Sequence, residues 1–185
     1  MAFSFFRSKK DPSIPIKNKV LTNKTAKWEV CKDLLHKHPE TIFIAWFEDS
    51  ASELKVVLQL GETESDSKVM LATRPGFHHK PQGNIIFVER YPLKAREQEF
   101  FKTIGLSEVS CYCSLDDALL EYFGSQNIAS LMQKMGMKEN EVVESGMIDN
   151  SIERAQERLD EKIVVDQSAR SQREWMERNL PKTGN

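Results

Sequence analysis

The sequence lacks any apolar run long enough to cross a lipid bilayer, so its residues predict no membrane-spanning helix. It has only three cysteines among 185 residues: Cys31, Cys111 and Cys113. Because an odd number without regular spacing is not a disulfide framework, these cysteines predict reduced thiols and a cytoplasmic protein. The sequence also lacks a charge excess. Its net charge is −2 at pH 7, so no overall electrostatic attraction favours nucleic acid, and we expect no nucleic-acid partner.

The composition that remains is 39% hydrophobic and 29% charged, which is typical of a globular domain with one core and a charged, helical part. The first ten residues, MAFSFFRSKK, differ from the rest because three phenylalanines precede Arg7, Lys9 and Lys10. Two interpretations stay open. Residues 1–10 make a weak membrane-surface contact, or they are a terminus whose aromatic residues pack locally. Two prolines follow, and we expect residues 1–16 to be a flexible segment.

Short apolar segments in the first two thirds of the chain predict five β-strands, at 17–21, 41–47, 69–72, 85–88 and 109–113. The run from Ile42 to Phe47 shows no alternation with polar residues, which is typical of a strand buried on both faces. Helical patterns separate most of these strands. Strands that alternate with helices predict an α/β fold, with a parallel sheet covered by helices on both faces.

The predicted helices have identifiable starts. Thr22 or Asn23 is expected to cap a helix that runs through His38. Ser50 and Glu53 fit a capping box for a second helix, and Pro92 fits the first turn of a third. The polar segment 61–67 is predicted to be a loop.

The stretch 110–163 predicts three further helices. Ser114 and Asp117 fit a capping box, with Gly124 at the helix end. A second helix is predicted at 125–136. A third follows from one apolar stripe, made by Ile148, Ile152, Ala155, Leu159 and Ile163.

This stretch resembles the end of the second motor domain of SecA, the protein-translocase ATPase, and the start of that family's long scaffold helix. The similarity lies in CYCSLDDALLEYFGSQNIASLMQKMGM and SIERAQERLDEKI. Upstream, IFIAWFEDSASEL, VMLAT and the pair Glu89–Arg90 resemble family patterns in the same order. The resemblance implies a RecA-like domain at 17–143, followed at 144–185 by a helical tail similar to the start of the scaffold helix.

The chemistry of a SecA-like motor needs a phosphate-binding loop, and no glycine in this sequence is followed by lysine. The family's arginine-rich segment corresponds here to residues 97–108, which hold no arginine. Without fixed positive charge, the charge that develops on a transferred phosphate is not stabilised. The candidates for phosphate contact are Arg74 and Arg90, although a structural role is favoured for both. We expect no cofactor and no enzymatic activity.

Four residues could be combined into a metal site: His78, His79, Cys111 and Cys113. Adjacent histidines point in different directions, so a polar loop beside a strand with buried thiols is the favoured interpretation.

The sequence therefore predicts a non-catalytic, SecA-like binding or adaptor module that the resemblance links to protein secretion. Two alternatives remain: a half-motor that completes an ATP site with a partner, and a nucleic-acid-binding helicase remnant. Four apolar residues of the tail are expected to find little of the chain itself to cover them: Val164, Val165, Trp175 and Met176. They predict contact with a protein partner, or self-association, through the helical tail.

Overall fold

The computed structural model describes residues 12–74, 77–122, 124, 138 and 141–180. The strands are β1 (Ile16–Leu21), β2 (Thr41–Ala45), β3 (Val69–Leu71), β4 (Asn84–Phe87) and β5 (Val109–Ser114). The helices are α1 (Lys24–Lys37), α2 (Glu48–Leu58), α3 (Glu62–Lys68), α4 (Lys94–Thr103), α5 (Ala118–Tyr122), α6 (Gly146–Lys162) and α7 (Gln172–Asn179).

The five strands form one sheet in the order β1-β5-β4-β2-β3, and all neighbouring strands are parallel. Helices flank the sheet, so the predicted RecA-like α/β fold is confirmed, together with a helical C-terminal part. The apolar run that predicted β2 is fully buried from Thr41 to Phe47. A central strand of a covered parallel sheet has no solvent-facing side, which explains why its residues do not alternate with polar ones.

Alternate residues of β2 enter two separate cores. Phe43 and Ala45 belong to the core beneath α1 and α2. Ile44 and Trp46 belong to the larger core on the opposite face, which α4, α6 and α7 cover. The sheet therefore separates the two helical layers, and the C-terminal helices complete one of them.

Local sequence predicted the start of one helix correctly and misplaced another. Asn23 caps α1, and its side chain accepts a hydrogen bond from the amide of Ala26 at 2.9 Å. The predicted capping box of Ser50 and Glu53 is wrong, because α2 begins at Glu48 and Ser50 bonds to Glu89 instead. The predicted loop at 61–67 is also wrong, because residues Glu62–Lys68 form α3.

The tail packs on the sheet along its apolar stripe. Four of the predicted residues in α6 are between 1% and 6% exposed: Ile148, Ile152, Ala155 and Leu159. The amide and carbonyl of Val143 pair with those of Val20, so the chain runs along the edge of β1 before α6 begins. These contacts place α6 on the same core as α4.

Two sequence predictions lie outside the described residues: the helix at 125–136 and the membrane-surface contact of residues 1–10. Within the described ranges, no helix combines the length and apolar character that crossing a membrane requires.

Candidate functional site

The carboxyl edge of the sheet is the place to look for a site, because parallel α/β sheets bind ligands beyond the carboxyl ends of their strands. In this chain, that edge carries charged residues that follow β3, β4 and β5. They are Arg74 after β3, Glu89 and Arg90 after β4, and Asp116 and Asp117 after β5.

Glu89 lies beside the turn from β2 into α2, close to the helix start, and helix starts are where α/β folds bind phosphate groups. Its Oε1 accepts hydrogen bonds from the amides of Trp46 at 2.9 Å and Phe47 at 3.1 Å. The hydroxyl of Ser50 donates to Oε2 at 2.6 Å. The donors of this turn are therefore taken up by a carboxyl group of the chain itself.

The electrostatics around Glu89 follow from its burial. Loss of water raises the pKa of Glu89 to about 7, while the charge of Lys27 and the bond from Ser50 oppose the shift. Lys27 is itself buried, with its Nζ 2.7 Å from Oδ1 of Asp117. Burial alone would lower the pKa of Lys27, but the negative charges of Asp117 and Glu89 raise it, so the ammonium group stays charged.

Asp117 also fixes the turn after β5, since its carboxylate accepts from the amide of Ser114 at 2.9 Å and from its hydroxyl at 2.7 Å. This is a local contact between the two residues that the sequence paired as a capping box. A cavity of about 240 Å³ lies beside this turn and is lined by several acids. Nevertheless, no three His, Cys, Asp or Glu side chains of the described residues are grouped to hold a metal.

The alternative metal set is not assembled either. His78 and His79 are exposed, whereas Cys111 and Cys113 are buried in the sheet with their Sγ atoms 3.6 Å apart. Burial raises the pKa of the Cys111 thiol, which disfavours the thiolate that a metal would need.

Arg90 is buried and fully engaged by other side chains. Its Nε and Nη2 donate to the carboxylate of Glu97 at 2.8 and 2.7 Å. Nη1 donates to Oδ1 of Asn18 at 2.9 Å, and Nη2 also reaches Oε1 of Gln156 at 2.9 Å. The guanidinium group therefore connects β1, α4 and α6, and it has no free edge to offer a phosphate.

Arg74 has a different environment. It is exposed, and it lies at the mouth of a cavity of about 360 Å³ that we call the aromatic cavity. The rings of Trp46, Phe77, Tyr91 and Phe100 line this cavity. Of the two arginines that the sequence proposed for phosphate contact, only Arg74 is placed where a ligand can reach it.

The last helix covers the carboxyl edge next to Arg90. Gln172 accepts a hydrogen bond from the amide of Leu119 at 2.8 Å and donates one to the carbonyl of Arg90 at 2.8 Å. The backbone of the preceding turn joins in, since the amide of Asp49 donates to the carbonyl of Arg170 at 3.0 Å. These contacts join α7 to α5 and to the segment after β4, and they join the turn before α7 to the start of α2.

The expectation that few groups cover Trp175 and Met176 is wrong. Trp175 is 0% exposed and Met176 is 7% exposed. The indole ring of Trp175 packs edge-on against Tyr91 with ring centroids 6.1 Å apart, and its Nε1 donates to Asp166 at 2.7 Å. The tail supplies its own cover because the segment between α6 and α7 turns back and carries Trp175 into the core.

The other two predicted tail residues are exposed. Val164 is 95% and Val165 is 70% exposed, and both lie in the connection between α6 and α7. Adjacent exposed valines are the part of the predicted contact surface that solvent or a partner can reach.

Sequence reasoning missed the role of Glu89, Gln172 and Asp166. Their partners are far away in the sequence: Glu89 bonds to residues more than thirty positions upstream, and Asp166 accepts from the hydroxyl of Tyr91 at 2.7 Å. For Glu89 the sequence signal was the resemblance of Glu89–Arg90 to a family motif, and that signal pointed toward nucleotide chemistry rather than packing.

Comparison with known proteins gives one consistent result, although no family model matches. The protein translocase subunit SecA of Christiangramia forsetii is 52% identical over 50 residues, which is 27% of this chain and 4% of that protein. The SecA of Rubrobacter xylanophilus is 47% identical over 49 residues, or 26% of this chain and 5% of that protein. The SecA of Helicobacter hepaticus is 45% identical over 56 residues, or 30% and 6%. The matched segments thus span only a small part of these curated relatives, and over about a quarter of its length this chain is similar to SecA.

Proposed function

We propose that this protein is a non-catalytic binding module of SecA-like origin that acts in protein translocation. The link to translocation rests on the similarity to translocase subunits, which extends over about a quarter of the chain. The proposal that the module does not hydrolyse ATP rests on the carboxyl edge of the sheet.

The observation that carries the proposal is the position of Glu89. Its carboxyl group takes up the amides of Trp46 and Phe47 in the turn from β2 into α2, together with the hydroxyl of Ser50 in the first turn of α2. A phosphate at the carboxyl end of β2 would compete with Glu89 for these donors. A phosphate at this position would have to displace a buried carboxyl group from its hydrogen bonds. The sequence also has no phosphate-binding loop that could hold the phosphate elsewhere.

The alternative of a half-motor needs an arginine that reaches a partner's phosphate. Arg90 is unsuited to that role, because releasing it would leave the carboxylate of Glu97 buried without its partner. Of the two arginines proposed for phosphate contact only Arg74 is exposed, and a single exposed charge contributes little to phosphate binding.

Isothermal titration with Mg-ATP tests the proposal, with hydrolysis followed in parallel by phosphate release. We expect this protein to give no binding heat and no turnover. An intact SecA in the same buffer serves as the positive control. Binding in the low micromolar range, about −8 kcal/mol, would overturn the proposal. So would ATP hydrolysis that Arg74→Ala abolishes, since that result would favour the half-motor.

The proposed partner surface is the connection between α6 and α7. Val164 and Val165 expose apolar surface there, and burial of such surface is what stabilises protein contacts. A photo-crosslinking residue at position 164 should give adducts in cells of the native source, while the same residue at Lys32, exposed on α1, is the matched control. Equal adduct patterns at both positions would contradict a specific surface.

Light scattering after size exclusion, on the parent and on Val164→Ser with Val165→Ser, then separates self-association from a different partner.

A further inference from the structure

The aromatic cavity is a second candidate binding surface, and Glu89 does not line it. Its walls are rings in direct contact: Trp46 lies 5.0 Å from Tyr91 and 5.0 Å from Phe100 between centroids. Phe77 meets Phe100 edge-on at 5.4 Å. These contacts fix the shape of the cavity before any ligand arrives, so binding would cost little conformational entropy.

The rim of the cavity carries two arginine side chains. Arg74 and Arg96 both line it, together with His78 and a single acid, Glu99. Arg96 is held only loosely, since it lies 3.8 Å from Glu99 and 3.5 Å from Asp166 with 61% of its side chain exposed. Exposed pairs at such distances contribute little, so a ligand carboxylate can recruit this guanidinium group.

Trp46 carries a buried donor without a hydrogen-bond acceptor beside this cavity. The residue is 6% exposed, and its Nε1 is buried without any hydrogen-bond acceptor in the described part of the chain. Buried indole N–H groups usually have an acceptor. This donor belongs to a residue whose ring lines the aromatic cavity.

We propose that the aromatic cavity binds a peptide segment of a protein partner in which a large apolar side chain is flanked by acidic residues. The apolar side chain would fill the cavity, and neighbouring carboxylates would bind Arg74 and Arg96. A volume of about 360 Å³ is at the small end of the range for ligand sites, and it suits one or two side chains. Aromatic residues and arginine are also the residues enriched where peptides and proteins bind. This inference deepens the proposed function, since it names the class of ligand that the binding module takes.

Fluorescence anisotropy with a labelled synthetic peptide, in which phenylalanine alternates with aspartate and glutamate, is the test. Two further peptides are compared with it: one with serine in place of phenylalanine, and one with lysine in place of the acids. We expect saturable binding of the first peptide, weakened at high salt, and at least about tenfold weaker binding of the other two. Equal binding of the lysine peptide would overturn the inference.

The charge on the rim is tested on the full chain with Arg74→Glu. Its side chain is exposed, so the fold should survive, and thermal unfolding checks this. We expect affinity for the acidic peptide to fall by about tenfold or more. The matched control is Lys32→Glu, which makes the same charge change on the opposite face of the sheet and should leave affinity within about twofold. Equal losses in the two variants would mean non-specific attraction and would refute the site.

The remaining outcomes separate this inference from the proposed function. If Mg-ATP fails to bind and no acidic peptide binds, the non-catalytic proposal stands and the peptide site is refuted. If Mg-ATP binds and does not displace the peptide, the non-catalytic proposal fails and the peptide site stands. If free phenylpropionate binds as tightly as the peptide, the cavity is a small-molecule site and the peptide assignment is refuted.

Discussion

Replacement of Glu89 by glutamine should remove a pH dependence from the stability of this protein. The carboxyl group is buried, and its pKa rises from 4.5 to about 7 because burial disfavours the charged form. Glutamine keeps the shape and the bonds: its oxygen can accept from Trp46 and Phe47, and its NH₂ can donate to the hydroxyl of Ser50. The variant therefore imitates the protonated acid.

The sign and size follow from proton linkage. Below pH 4.5 the carboxyl is protonated in both the folded and the unfolded chain, so it contributes no difference. Between pH 4.5 and about 7 the unfolded chain loses its proton while the folded chain keeps it, and stability falls as pH rises. The full difference corresponds to about 3 kcal/mol at about pH 8.

Urea unfolding of the parent and of Glu89→Gln, measured at intervals from about pH 4.5 to about pH 8, is the assay. The parent should lose stability as the pH rises, whereas Glu89→Gln should not. The free energy of unfolding of the variant, relative to that of the parent, should therefore be highest at the alkaline end. A control variant, Glu29→Gln on the exposed face of α1, should follow the parent. Parallel curves for the parent and Glu89→Gln would refute the reasoning, because they would mean that Glu89 titrates alike in both states.

Three further predictions concern stability and are measured by urea unfolding. Arg90→Met should cost about 3–5 kcal/mol, because it leaves Glu97 buried and unpaired, and adding Glu97→Met should recover part of this loss; a double variant no more stable than the single one would contradict the pairing. Trp175→Ala should cost about 3–5 kcal/mol, because the side chain is 0% exposed, and a loss under about 1 kcal/mol would mean that α7 is not part of the core. Ile44→Ala should cost about 2–5 kcal/mol, since Ile44 is also 0% exposed, and an unchanged unfolding midpoint would be incompatible with its central position in β2.

The strands could be predicted from the sequence because their signal is local. A continuous apolar run such as Ile42–Phe47 has no stable place except a covered strand, so neighbours in sequence suffice to identify it. The helix α3 gave no such signal. Only Ser65 of its seven residues is buried, and the helix is supported by an ion pair between Asp66 and Lys55 of α2, which the sequence of α3 does not reveal.

The candidate site was predictable only in part, because its contacts join distant segments. The family resemblance drew attention to Arg74 and Arg90, but a sequence cannot tell an exposed guanidinium group from a buried one. Trp175 was misjudged for the same reason. Its neighbours in sequence are charged. Its partners in the fold are Tyr91, which is far away in the sequence, and Asp166, which precedes α7.

Glu89 and Arg90 show why a family-like motif in this chain need not report on ATP chemistry. Successive side chains of an extended segment point to opposite sides, so two adjacent residues can reach two layers of the fold. Glu89 holds the start of α2, which belongs to the helices on one face of the sheet. Arg90 holds α4 and α6, which cover the other face. Both side chains have their hydrogen-bond partners within the folded chain, so the pair has a structural use that requires no nucleotide. A claim of nucleotide chemistry for this protein must therefore rest on the exposed Arg74 and on measured binding, because the buried pair would be retained for folding in either case.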